Sequence, residues 1–506
     1  MLQIRRCFGT RISLLACLGV TGICRIGLGE PNQDTLDPNL RVASLSPEQQ
    51  LRNWATKNQA ALSFTVATLP GGAPAAELDG ATPRNPASVS KLATAFVALK
   101  RLGPSYRWKT TVHGRILGGH AGTIAIRSEG DPSLSSDFIS TMAARLAAMG
   151  LVAVDGDILV DQSFFDDRTV PPAFEQQPGE WSAFRAPICA TALDRNALTL
   201  RLIPNDPGSK ATLFVEPFGA ATWSGEVESV AREANNAAGK APATGKGRGN
   251  RLELRVVQTT QRPELRVAGA IDANAGGVAL MRRSEDPRQL VGYVLREALM
   301  ARGIRVQKAV ALGPVGDLPI LYAHQSDALS TIVHRLGKES DNFTAEMLLK
   351  TLGARSYQTG SSEAGIRVIS ETLEQAGLPA AEMRWVNGSG LFDANRVSTR
   401  SIARLLGIAM SDPTLAPEYI AQLSIAGKDG TLASRLRSLP EGCVVRAKSG
   451  TLRTVISLAG YVARSDRQPL GFAIIIENVR DQAAARQQID RYVASLCSIT
   501  PPTRAP

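Results

Sequence analysis

The sequence predicts helices packed over a mainly antiparallel sheet, an α/β (α+β) fold interrupted by a large, mainly β insertion. Three observations lead there. Helix and strand signals fill the chain from Leu45 to about Trp108, and helical periodicity returns near Ala328. Between them, to about Leu312, short apolar runs alternate with glycine turns, as in "TVHGRILGGHAGTIAIRSEGDPSL". Near the C-terminus three strand candidates follow one another and a helix closes the chain.

Each element has its own local reason. In "SPEQQLRNWA" Ser46 is placed to cap a helix and Pro47 to occupy its first position. "ALSFTVATL" alternates as a strand does. "NPASVSKLATAFVAL" (Asn85–Leu99) puts Pro86 just before an apolar helix. Within the insertion, "AREANNAAGKAPATGKGRGN" (Ala231–Asn250) has almost no large apolar residue and reads as a surface loop or linker. "LSTIVHRLGKESDNFTAEMLLKTLG" carries two apolar helical runs around a polar break. "CVVRAKSGTL", "VISLAGYVAR" and "PLGFAIIIEN" are the strands, and "DQAAARQQIDRYVASL" is the last helix.

At 506 residues the chain is too long for one ordinary domain. The expected division is a leader over 1–29, one discontinuous domain from 40–108 and 320–500, and an inserted region over 109–319 made of two small domains. The net charge of +11 favours anionic partners. The charges are scattered and aromatics are only 5%, which argues against nucleic acid. Arg5, Arg6 and Arg11 precede the apolar stretch Ile12–Cys24, with Gly27 and Gly29 as a cleavage site. That is the layout of a secretory signal, too short for a membrane span, so the expectation is an exported protein without a stable transmembrane anchor. Cys7, Cys17 and Cys24 fall in this leader. Cys189, Cys443 and Cys497 remain, leaving room for one disulfide and one free thiol. No CxxC pair or HExxH exists, so no metal site is expected.

Three motifs carry chemistry. Ser88 and Lys91, three apart at a helix start, share a face, so the lysine reaches the hydroxyl. A serine is a poor nucleophile until a base takes its proton, and a lysine is a base only when neutral. Burial and a second cation would both lower its pKa. Ser340 and Asn342, in "SDN", are placed to aim the same way from an extended inter-helix loop; Asp341 or Asn342 would also suit a helix cap. "KSGT" (Lys448–Thr451) lies on a strand, where Gly450 admits a close backbone approach and Lys448 supplies the second cation. Each motif alone has an ordinary reading as a cap, a solvated lysine or a bulge glycine. The ordered set is far more specific.

The order SxxK, SxN, K[ST]G is similar to that of the penicilloyl serine transferases, the penicillin-binding proteins and serine β-lactamases. Ser88 lies much further from Ser340 than Ser340 from Lys448. That large insertion resembles the class C low-molecular-mass penicillin-binding proteins, the D-alanyl-D-alanine carboxypeptidase/endopeptidase family. "SEGDPSL" (Ser128–Leu134), "DILVDQSFFD" (Asp157–Asp166), "VNGSGLFDANRVS" (Val386–Ser398) and "AGKDGTL" (Ala426–Leu432) are similar to that family's segments. The resemblance spans roughly Leu45 to Leu496. Serine at 449, where the family usually has threonine, keeps the hydroxyl.

The resemblance implies a transpeptidase-like fold and acyl transfer at D-Ala-D-Ala in peptidoglycan stem peptides, without cofactor or metal. It implies Ser88 as nucleophile and Lys91 as base, its pKa lowered by Lys448, with Ser340 as proton relay. Backbone N–H groups of Ser88 and Thr451 would hold the oxyanion, Asn342 the substrate amide, and Ser449 and Thr451 the terminal carboxylate, with Gly450 giving the close approach. β-Lactams would acylate the same serine, and the compartment would be the periplasm. A rapid β-lactamase or esterase and a non-catalytic cell-wall binder are the alternatives.

Overall fold

The computed structural model describes residues 45–70, 74–231, 250–259, 262–465 and 467–498. The leader, and most of the Ala231–Asn250 loop, lie outside the described residues.

The sheet that carries the C-terminal strands is antiparallel throughout. Its order is Ser424–Ile425, Cys443–Leu452, Val455–Arg464, Arg467–Glu477, Ala61–Thr68, Pro74–Leu78. Successive side chains alternate between its faces, because a strand has a period of two. Phe472, Ile474 and Ile476 join the apolar cluster under the helices Pro47–Lys57 and Gln482–Leu496. Ala473 and Ile475 join the cluster on the other face. There the helices Lys91–Leu102, Leu329–Glu339, Asn342–Tyr357, Ser362–Gln375 and Thr399–Ser411 are gathered. Residues Lys91 to Leu99 are all buried, so that helix is enclosed on every side.

The sequence reading of these elements holds closely. Ser46 caps the first helix in a full capping box with Gln49, and Pro47 is its first residue. Asp481 caps the last helix through its carboxylate. The strands Cys443–Leu452 and Val455–Arg464 coincide with the predicted segments. Cys443, at the start of its strand, is bonded to Cys497, just beyond the last helix, and Cys189 is a buried free thiol.

Between the two halves of this layer lies a mixed seven-stranded sheet from Lys109–Leu117 to Ile320–Gln325, with parallel as well as antiparallel pairs. The strand Ile320–Gln325, on the C-terminal side of the boundary drawn at 320, pairs here with Lys109–Leu117. Two helices pack on the sheet, Ser136–Ala148 and Leu290–Met300. The first buries Ile139, Met142, Ala143 and Leu146, a helical period inside a region of β texture. Two three-stranded sheets complete the insertion, and one continuous apolar cluster runs through all of it. A smaller cluster joins the insertion to the SDN helix, with Phe165, Ile188 and Cys189 against Phe343 and Met347.

The Cys443–Cys497 bond closes a loop with a sequence separation of 54. In the chain-entropy picture such a link removes about 4 kcal/mol of freedom from the unfolded chain. Replacing both cysteines by alanine should therefore lower the unfolding free energy by up to about 4 kcal/mol, read from denaturant titrations.

Candidate active site

The Lys91 helix does not begin at Ser88. Residues Ala87–Ser90 form a tight 3-10 turn, and the α-helix takes over at Lys91. Asn85 sets up that turn. Its side-chain oxygen accepts the Ala87 N–H at 2.9 Å, and its amide donates to the Phe392 carbonyl at 3.2 Å. Ala87 is held at φ 49°. Gly390 lies so close that a Cβ there would fall 2.0 Å from the Ala87 carbonyl oxygen. Ser88 is thus presented half-buried, while Lys91, one turn on, is fully buried.

Lys91 Nζ has three neighbours: Ser88 Oγ at 3.0 Å, Asn342 Oδ1 at 2.7 Å and the Ser389 carbonyl at 2.7 Å. A neutral amine has two N–H donors and one lone pair. The carbonyl-type oxygens of Asn342 and Ser389 accept hydrogens only. With both donors spent on them, the lone pair faces the Ser88 hydroxyl. Burial pushes the Lys91 pKa from 10.5 down to about 7, against the pull of Glu346 and Asp341.

Lys448 is also fully buried. Its Nζ donates to Ser340 Oγ at 2.7 Å and to the Ser449 carbonyl at 2.7 Å. Burial first, then repulsion from Lys91, holds its pKa well below the ordinary lysine value. This corrects the sequence expectation. The leading depressor of Lys91 is burial, and the repulsion between the two lysines is felt at Lys448.

The expected extended loop at SDN is also different. Ser340 ends the helix Leu329–Glu339 in a left-handed conformation, φ 58° and ψ 38°, and Asn342 already begins the next helix. Asp341 is the cap, its carboxylate accepting the N–H groups of Phe343 and Thr344. Such a tight corner aims Ser340 at Lys448 and Asn342 at Lys91. The Asn342 amide donates to the Phe184 carbonyl of the insertion at 3.0 Å.

On the strand, a Cβ at Gly450 would lie 2.2 Å from Ser457 Oγ and 2.8 Å from the Pro86 carbonyl oxygen. Glycine therefore lets the strand dock on the 3-10 turn, where Ser457 Oγ donates to Pro86 O at 2.7 Å. Ser449 Oγ donates to Thr431 Oγ1 at 2.8 Å, and Thr451 is exposed with Arg486 Nη2 at 3.5 Å from its hydroxyl. The structure thus brings Ser88, Lys91, Ser340, Asn342, Lys448, Ser449, Gly450 and Thr451 to one place. A cleft of about 620 Å³ opens beside them, lined by Ser340, Asn342, Phe184, Phe218 and Met281. Among the described residues no group of three His, Cys, Asp or Glu is arranged to hold a metal.

Sequence reasoning missed Glu346. It is buried, accepts the Gly388 N–H at 3.1 Å and the Ser389 N–H at 2.8 Å, and so fixes the carbonyl that Lys91 uses. Burial raises its own pKa. Its position four residues beyond Asn342, on the same helix face, is the signal that would have found it. Asn387 and Asn395 lie in the segment matched at Val386–Ser398, and their hydrogen bonds shape the same loop. Thr431 lies in the matched segment Ala426–Leu432, whereas Arg486 had no local signal.

Residues 48–496 match the model of the D-Ala-D-Ala carboxypeptidase 3 (S13) family. A D-alanyl-D-alanine carboxypeptidase of Actinomadura sp. (strain R39) is 32% identical over 412 residues, covering 78% of this chain and 74% of that protein. The crystal structure of penicillin binding protein 4 (dacB) from Haemophilus influenzae superposes with a TM-score of 0.71 at 21% identity, covering 88% of this chain and 98% of that one. The predatory peptidoglycan endopeptidase Bd3459 from Bdellovibrio bacteriovorus gives a TM-score of 0.50 at 16% identity, covering 87% of this chain and 93% of that one. The structural likenesses bear out the penicillin-binding-protein/β-lactamase-like fold that the motif order implied. With its three motifs joined through Asn342–Lys91 and Ser340–Lys448 and its length matched almost from end to end, the chain belongs to the D-Ala-D-Ala carboxypeptidase 3 (S13) family.

Proposed function

We propose that the protein is a serine-type D-Ala-D-Ala carboxypeptidase that works through an acyl-enzyme on Ser88. One observation carries the residue assignment: a buried lysine with a pKa near 7, both its N–H groups taken by carbonyl-type oxygens, lies 3.0 Å from the Ser88 hydroxyl. Family membership supports the substrate.

Ser88 Oγ attacks the carbonyl of the penultimate D-alanine while Lys91 takes its proton. The backbone N–H groups of Ser88 and Thr451 receive the oxyanion, and one such donor typically contributes about 3 kcal/mol. Ser340, backed by Lys448, passes a proton to the departing amine. Ser449 and Thr451 hydroxyls receive the terminal carboxylate, and Arg486 adds positive charge beside Thr451. Water then hydrolyses the ester on Ser88. A β-lactam, whose strained amide imitates D-Ala-D-Ala, acylates the same oxygen and stays.

Cross-linked peptides are a second substrate in this reading, since the reaction is unchanged when the leaving amine belongs to another stem. The likeness to a peptidoglycan endopeptidase supports it. The secretory layout of the leader supports a periplasmic reaction. Among the described residues no helix is long and apolar enough to cross a membrane.

Ser88→Ala should abolish both D-alanine release from a pentapeptide and acid-stable labelling by a fluorescent penicillin, with folding intact by circular dichroism. Labelling that survives would move the nucleophile elsewhere. The pH dependence has a definite sign. Lys91 serves as base only when deprotonated, so the acylation rate should rise as pH increases through about 7. Stopped-flow acylation by penicillin reads this directly. A rate independent of pH between about 5 and about 9 would remove Lys91 from the role of base.

A further inference from the structure

We propose that Arg195, in the insertion, is a positioning residue for the reaction: it clips together the two residues that flank Ser340. The inference rests on the role given above to Ser340 and Asn342.

The observation behind it is a strained turn. Asp194, Arg195 and Asn196 have φ of 45°, 58° and 52°, three successive residues in the left-handed region. None is glycine, and side chains enter that region at a cost, so consecutive cases are uncommon. Such strain persists only where the surroundings impose it. Here they do. Both carboxylate oxygens of Asp194 receive the Ser136 N–H, at 3.3 Å. Asn196 is fully buried, accepts the Leu193 N–H at 3.2 Å and donates to the Pro187 carbonyl at 2.9 Å.

The turn thrusts Arg195 out of the insertion toward the SDN corner. Its Nη2 lies 2.9 Å from Glu339 Oε2, and its Nε lies 3.5 Å from Asp341 Oδ2. Glu339 is the last residue of one helix and Asp341 caps the next. Ser340, between them, is itself left-handed. A guanidinium spanning its two neighbours opposes the straightening of that corner, as a rigid fork is suited to do. Ser340 then stays 2.7 Å from Lys448, and Asn342 stays 2.7 Å from Lys91. The neighbouring Phe184 carbonyl steadies Asn342 from the insertion as well. The insertion thus holds the SDN motif in register with the other two.

Arg195→Gly separates positioning from stability. Glycine adopts φ 58° without penalty, so this variant relaxes the turn while it deletes the clip. Acylation by a fluorescent penicillin and D-alanine release are to be measured beside the melting temperature. The expected result is a melting temperature at or above wild type, a maximal acylation rate lowered about tenfold or more, and an unchanged half-saturating concentration. Arg195→Lys should recover part of the rate. Asp341→Asn keeps the cap but loses the charge, and combined with Arg195→Gly it should be little slower than the slower single variant. Wild-type acylation in Arg195→Gly, or a rate loss that comes with a fall in melting temperature and no rescue by lysine, would overturn the assignment. A wild-type protein that neither labels nor releases D-alanine would overturn the Ser88 reading itself, so the two failures are distinct.

Discussion

Two fully buried lysines set the terms for this molecule. Lys91 and Lys448 each meet a serine, Ser88 and Ser340. Moving an ammonium group out of water is costly. For Lys91 the fall from 10.5 to about 7 corresponds to about 5 kcal/mol of preference against the charged form. The unfolded chain keeps that proton up to pH 10.5, whereas the folded one releases it near 7. Between those values the unfolded state binds more protons, and stability rises with pH. Near neutrality the site is therefore a burden on the fold, and the surrounding core offsets it. The burden is also the source of the chemistry, since only a deprotonated amine offers Ser88 a lone pair.

The architecture follows from the need to bury both. One lysine comes from the start of a helix enclosed on all sides, the other from a strand inside a sheet covered on both faces. The sheet docks directly on the 3-10 turn at Gly450, and the Gly388–Gly390 loop seals the far side against Glu346. The insertion is attached to the same corner rather than hung from a linker. Phe165 and Ile188 pack on the SDN helix, Lys350 of that helix meets Asp166 at 2.6 Å, and Trp108 donates to Thr351. Ser340 and Asn342 thus sit where two cores meet, which gives them a fixed platform on each side.

Much of this was legible in the residues. The strands Cys443–Leu452 and Val455–Arg464 read as short apolar runs, the helices at Ser46 and Asp481 carry capping residues, and the helix pair around SDN shows as two apolar runs about a polar break. Local chemistry decides such elements, so local reading finds them. The three catalytic motifs were legible for another reason, their order along the chain. What escaped was whatever depends on contact between distant segments. The mixed sheet of the insertion joins strands as remote as Lys109–Leu117 and Ile320–Gln325, and nothing local fixes its parallel pairs, such as Val310–Leu312 on Ile158–Asp161. The corner at Ser340 looked like an extended loop because a left-handed serine has no signature of its own. Glu346 was hidden by being an ordinary helix former, and Arg195 by lying in a segment whose strain only the fold reveals. At Lys91 the residues pointed to both burial and a second cation; burial leads, and its weight is a property of the packed core that no motif carries.

The most direct measurement is the titration of Lys91 itself. Proteins with isotope-labelled lysine side chains, compared with Lys91→Met to assign the resonance, give its protonation midpoint by NMR. The account requires a midpoint near 7 with Ser88 intact. A Lys91 resonance that remains that of an ammonium group up to the ordinary lysine value of about 10.4 would contradict it.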